Sequence, residues 1–146
     1  APTVGKIIDR AGYRIVMIMD TVILVVVCFF YGFAHHIFPK EYLKKNGMSR
    51  TQYNQVANYT YLDTPVNISI GKKAPREYFA TAFGQCETGV KKIGTIVSRD
   101  ELDRNLEVNC IPAEIATMDI EDYESKFLPA RRKMMACKVR KYYESL

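Results

Sequence analysis

His35 and His36 are the only imidazoles in the chain, and they stand side by side in the run Ala34-His35-His36-Ile37-Phe38-Pro39. Two asparagines follow in order: Asn58 at the head of an apolar-alternating run, and Asn67 nine positions later. An imidazole with a pKa near neutrality can take a proton from a water. An imidazole nitrogen and an amide oxygen can also ligate a divalent cation whose remaining shell is water. Successive residues on a strand point to opposite faces, so the two histidines cannot face the same way unless the strand ends or twists there.

The flanking sequence supplies the elements that would hold these groups. A strand is predicted over Phe33 to Phe38, stopped by Pro39, which cannot continue a central ladder. Lys40 to Lys45 reads as a short basic helical turn and Asn46-Gly47 as a turn. Ser49 and Gln52 have capping-box spacing, predicting a helix to about Ala57. Asn58 to Leu62 alternates as a second strand. Thr64-Pro65 reads as a cap and first helical position, opening a helix that carries Asn67 and stops at Gly71. The order is strand, insertion, strand, helix.

A histidine pair followed by Asn and Asn, in that order, resembles the HNH, or ββα-metal, nuclease motif. The longer wording HHIFPKEYL…ANYTYLD…NISIGKKAP is similar to the C-terminal nuclease domain of GmrSD-type, modification-dependent (type IV) restriction endonucleases. The resemblance extends more weakly through Glu77-Tyr78-Phe79 and the basic C-terminus, covering roughly residues 30 to 146. It implies an α+β fold: a ββα-metal core with additional packed helices and a mostly helical C-terminal half. It implies His36 as general base and His35 and Asn67 as ligands of a divalent metal, Mg2+ first and Mn2+ or another transition metal next. Asn58 would be the middle residue of the motif, counted with the catalytic set because it braces the loop and orients the base. A nuclease would use Lys40, Lys44, Lys45, Lys72, Lys73 and Arg76, which flank the motif, on DNA phosphates. Against this stands the plain reading of each residue: lysines on a solvated face, Asn58 opening a strand, Asn67 bonding near a helix terminus. Asp63 is the only obvious nearby carboxylate, a departure from the Asp-His form of the motif.

The whole chain sets broader bounds. With 146 residues, 48% hydrophobic and 25% charged, it has the length and balance of one globular domain rather than a disordered tail. The expected organisation is residues 1–33 as an apolar segment packed on the core, 34–86 as the ββα core, and 87–146 as a helical extension. A net charge of +5 suits a polyanion without requiring one. Cys28, Cys86, Cys110 and Cys137 are widely spaced and form no CxxC, which reads as free intracellular thiols rather than a zinc site. The sequons at Asn58 and Asn67 coincide with the motif asparagines and read as accidental matches. The resemblance implies a nucleotide-binding domain ahead of the nuclease; no Walker-type glycine loop occurs here, so the chain is expected to be the nuclease domain of a larger protein, with nucleotide dependence and recognition of modified bases in an upstream domain, or a degenerate descendant.

Residues 15–34 carry Asp20 as their only charge. Their length admits a transmembrane reading. An internal Asp and the β-branched Val22–Val27 run favour a buried core strand instead. Helices are predicted from Pro75 to about Gln85 and, after a Ser98/Glu101 capping box, to about Val108. Pro112 opens a turn or two, and Asp119 caps a last stretch that Pro129 should break or kink. Ala130 to Ser145 reads as a basic helix, with Leu128, Met135, Val139 and Tyr142 turned inward. The leading expectation is a cytoplasmic bacterial or archaeal endonuclease of a defence system. A non-catalytic DNA-binding or interaction module with the same core, and a small membrane-anchored protein, are the competing readings. Because one ββα site makes one nick, cutting both strands would need a homodimer or two successive events.

Overall fold

The computed structural model describes residues 13–31 and 34–146. It divides into two compact units, Ala1–Ala34 and His35–Leu146. Helices dominate, beside one small two-stranded antiparallel sheet, so the class is α+β at that coarse level.

In the first unit, Tyr13–Tyr31 forms a single helix, α1, not the buried strand expected over residues 15–34. Ile15, Met17, Ile18, Met19 and Val22 to Val27 on it are exposed. A lone strand leaves its N–H and C=O groups needing a neighbour, whereas a helix closes them within the segment. Valine costs only a few tenths of a kcal/mol in a helix, roughly, so the β-branched run does not resist. Thr21 bends its hydroxyl back onto the Met17 carbonyl at 2.8 Å, a bond available only in a helix. Among the described residues no helix is long and apolar enough to cross a membrane.

The strand β1 (Ala34–His36) starts at the last residue of the first unit and carries the chain into the second, where α2 (Lys40–Lys45) and α3 (Arg50–Tyr53) follow. A 3-10 turn at Val56–Asn58 leads into β2 (Tyr59–Tyr61) and α4 (Thr64–Ile70). The helices α5 (Pro75–Thr88) and α6 (Arg99–Val108) follow, with a second 3-10 turn at Ala113–Thr117. A widened π-type turn, Tyr123–Phe127, runs directly into α7 (Leu128–Glu144). The expected order of strand, insertion, strand and helix is therefore present.

Several boundaries move for local reasons. Phe33 lies outside the described residues, and β1 stops at His36 rather than Phe38, because the Asn58 side chain takes both backbone groups of Phe38. The Gln52 side chain does reach back to the Ser49 N–H, at 2.9 Å, but α3 ends at Tyr53, not Ala57. There the Asn58 amide binds the Tyr53 carbonyl and Gln55 turns extended. Asp63, not Thr64, is the residue preceding α4, and Pro65 occupies the first turn, where its missing N–H costs nothing. Gly71 ends α4 with φ +58°, as its conformational freedom allows. Pro129 lies in the first turn of α7, directly after the widened turn Tyr123–Phe127.

The core is built around Phe38, fully buried between Tyr123 and Phe127 with ring centroids 5.0 and 4.8 Å away. Leu43, Ile70, Tyr78, Phe79, Leu106, Ile115 and Leu128 complete it. Helix α5 packs on the Ala113–Thr117 turn, and α7 packs on the Val56–Asn58 turn that opens β2. Met135 packs on this core, but Val139 and Tyr142 are 55% and 62% exposed, so the inward face expected of α7 ends after about two turns. Gln85, buried on α5, organises the glycine-punctuated loop after it: its oxygen accepts from Lys92 N–H at 2.7 Å and Ile93 N–H at 2.9 Å. All four cysteines are free thiols.

Candidate functional site

The Ile37 N–H donates to the Asn58 carbonyl at 2.8 Å. Carried back along the antiparallel ladder, that register sets His36 across from Tyr59 and His35 across from Thr60. The His36 and Tyr59 rings lie 4.4 Å apart, as residues sharing one face should. His35 consequently takes the other face. The two histidines do divide, as alternation on a strand requires.

Asn58 is wholly buried. Its Oδ1 accepts from the Phe38 N–H at 2.9 Å, and its Nδ2 donates to the Phe38 and Tyr53 carbonyls, each at 3.2 Å. One amide thus satisfies three backbone groups and closes the 20-residue excursion between the strands. Asn58 braces the loop, and among the described residues its side-chain hydrogen bonds go to Phe38 and Tyr53, not to His36. That contact belongs to Asn54, whose Oδ1 lies 3.3 Å from His36 Nε2 and accepts from the Tyr59 hydroxyl at 3.0 Å. Tyr53 approaches the same ring edge-on, with centroids 6.2 Å apart. Burial lowers the His36 pKa below its ordinary 6.5, the Asn54 hydrogen bond opposes that, and the charges of Lys40 and His35 add to the lowering. The lowering favours the uncharged ring, the form able to accept a proton.

His35 is half-buried and its Nε2 is sealed from solvent with no hydrogen-bond partner among the described residues. A buried polar atom without a partner is rare in a native fold and calls for an occupant. An imidazole nitrogen in that state has donor chemistry that fits a divalent cation. Asn67 lies half-buried on α4, the helix that follows β2. Among the described residues no group of three or more His, Cys, Asp or Glu could hold a metal.

The six basic residues flanking the motif do not form one free surface. Lys40 sits over the Tyr53 ring, its Nζ 5.7 Å from the centroid, which places it in the His36 neighbourhood. Lys44 pairs with Glu41 at 3.1 Å and Arg76 with Asp119 at 2.7 Å, so those two charges are answered. Lys45, Lys72 and Lys73 line a cleft of 390 Å³ together with Glu41 and Glu77. Lys73 also donates to the Ser69 carbonyl at 2.8 Å.

The C-terminal basic cluster divides further. Arg131 is only 4% exposed and donates to the Ala57 carbonyl at 2.9 Å and the Asn109 carbonyl at 3.1 Å. It anchors α7 to the residue preceding Asn58, so it is a structural brace rather than a surface cation. Arg132 donates to Gln55 Oε1 at 3.0 Å and Lys138 to the Val108 carbonyl at 2.6 Å.

Neither Asn54 nor Arg131 was recognisable from spacing. Asn54 lies 18 residues from the histidine it contacts, and Arg131 lies 74 from the carbonyl it binds. Comparison with family models, with curated proteins and with solved structures finds no match to this chain.

Proposed function

We propose that this chain is a metal-dependent HNH-type endonuclease domain that hydrolyses DNA phosphodiester bonds, in the manner of the nuclease part of a restriction system acting on modified foreign DNA. The observation that carries the reading is the Asn58 clamp on Phe38. It closes a strand–turn–strand unit in which His36 and His35 take opposite faces and a helix bearing Asn67 follows.

In this reading the uncharged His36 ring takes a proton from a water, and the water oxygen attacks phosphorus. The P–O bond to the leaving sugar oxygen breaks, and that oxygen takes its proton from solvent. His35 Nε2 and the Asn67 side-chain oxygen would hold the divalent cation, Mg2+ first and Mn2+ next. When bound, such an ion stabilises charge on the phosphate and on the leaving oxygen. Lys40, over the Tyr53 ring, and Lys45, Lys72 and Lys73, which line the cleft, would contact phosphates. Arg76 and Lys44 contribute less, because each already faces a carboxylate.

The test is plasmid cleavage by the purified protein in magnesium, manganese or EDTA, with His36→Ala alongside. Metal-dependent nicking that disappears in the variant supports the reading. Nicking that survives the substitution overturns the role of His36. DNA binding without cleavage in any metal would favour the non-catalytic module.

A further inference from the structure

We propose that Asn54 is a positioning residue that holds His36 as the tautomer protonated at Nε2, so that Nδ1 is the proton-accepting atom of the site. The consequence for catalysis rests on the endonuclease reading above; the tautomer itself rests on hydrogen-bond geometry alone.

A neutral imidazole has one N–H and one lone pair, and whatever faces each nitrogen decides which is which. An amide oxygen carries only lone pairs. Asn54 Oδ1 faces His36 Nε2 at 3.3 Å, so the proton of the neutral ring belongs on Nε2. The same oxygen accepts the Tyr59 hydroxyl at 3.0 Å, which holds the amide with its oxygen toward both groups. Tyr59 tilts over the ring at 4.4 Å and Tyr53 meets it edge-on at 6.2 Å, limiting its rotation. Asn58, the residue of the motif from which base orientation is expected, spends all of its polar atoms on the backbone of Phe38 and Tyr53. Holding the loop and aiming the base are therefore separate tasks of two asparagines four residues apart.

This arrangement confers a definite reactivity. With Nε2–H engaged, the ring accepts a proton from water at Nδ1, and the positive charge that develops is stabilised by the Asn54 oxygen through the existing hydrogen bond. Without that partner the neutral ring is free to take either tautomer, and only part of the population would present a bare Nδ1 to the water.

The experiment is nitrogen-15 NMR of the full chain with labelled histidine, at a pH where the rings are neutral. With two histidines in the chain, His36→Asn assigns the signals by removing one set. The expected wild-type spectrum shows His36 protonated at Nε2 and bare at Nδ1. In Asn54→Ala the two ring nitrogens should move toward each other as the tautomers mix, and Asn54→Asp, which retains an acceptor oxygen, should restore the wild-type pattern. Where cleavage is measurable, Asn54→Ala should lower kcat with KM little changed. A wild-type His36 protonated at Nδ1, or an Asn54→Ala spectrum identical to wild type, overturns the proposal. The wild-type spectrum decides this even if Asn54→Ala does not fold. Absence of cleavage would count against the endonuclease reading and leave the tautomer result standing by itself.

Discussion

Asn58 grips Phe38 by both of its backbone groups, accepting from the N–H at 2.9 Å and donating to the C=O at 3.2 Å, while both residues are fully buried. An amide side chain imitates a strand neighbour here, so β1 can end at His36 without leaving the next peptide groups orphaned. The Phe38 ring, gripped at its backbone, fills the centre of the core between Tyr123 and Phe127. Loop closure and core packing are therefore joined at one residue.

Removing that clamp should be costly. Asn58→Ala leaves the Phe38 N–H and C=O and the Tyr53 C=O without their side-chain partner, and is expected to destabilise by about 2–4 kcal/mol. Asn58→Asp should also destabilise, because a carboxylate cannot donate to two carbonyls. Urea denaturation measures both; a loss within a few tenths of a kcal/mol would show that the clamp is dispensable.

His36 and His35 should separate by readout. Under the proposed function, His36→Ala is expected to lower cleavage about 10²–10⁴-fold while metal affinity is largely kept. His35→Ala and Asn67→Ala should instead weaken metal binding, read by calorimetric titration with Mn2+. Equal loss of metal affinity in all three variants would contradict the division of tasks.

Arg131 should behave as a core residue despite its charge. Arg131→Ala removes the donors to the Ala57 and Asn109 carbonyls from a buried site, and is expected to cost about 3 kcal/mol. Lys141→Ala, on the exposed end of the same helix, should stay within about 0.5 kcal/mol of wild type. Thermal unfolding of the two variants side by side distinguishes a brace from a surface charge.

The Tyr42–Asp119–Arg76 cluster sets a pH window for stability. The Tyr42 hydroxyl donates to Asp119, and that bond, with the Ile120 N–H and Arg76, lowers the Asp119 pKa below 3.8. A depressed folded-state pKa gives stability that is present above the unfolded value and lost as pH falls through the folded one. Tyr42 moves the opposite way: burial first, then the Asp119 bond, push it from 10.0 to about 12. Its contribution is whole below 10.0 and disappears as pH rises toward 12. Urea midpoints measured across pH should decline at both ends, and Asp119→Asn should flatten the acid arm. An acid arm unchanged in that variant would remove Asp119 from the account.

Local chemistry was legible wherever a residue acts on its own neighbours. Lys40 to Lys45 forms a helix with those bounds, Gly71 stops α4, and the Ser49 N–H finds Gln52. Each depends on backbone preferences and contacts within a few residues, which the order of amino acids alone determines. The order of strand, insertion, strand and helix along that stretch was legible for the same reason: turn and cap residues punctuate it. Tertiary structure decided the rest. Val22 to Val27 are consistent with strand or helix, and they lie in the helix Tyr13–Tyr31, which closes its backbone hydrogen bonds within the segment. Arg131 reads as one more member of the basic C-terminal cluster until two distant carbonyls enclose it, and Asn54 reads as part of the helix expected to about Ala57 until folding brings His36 and Tyr59 to its oxygen. A hydrogen bond across 18 or 74 residues leaves no periodicity in the chain; it exists only once folding has brought the partners together and excluded the water that would otherwise satisfy them.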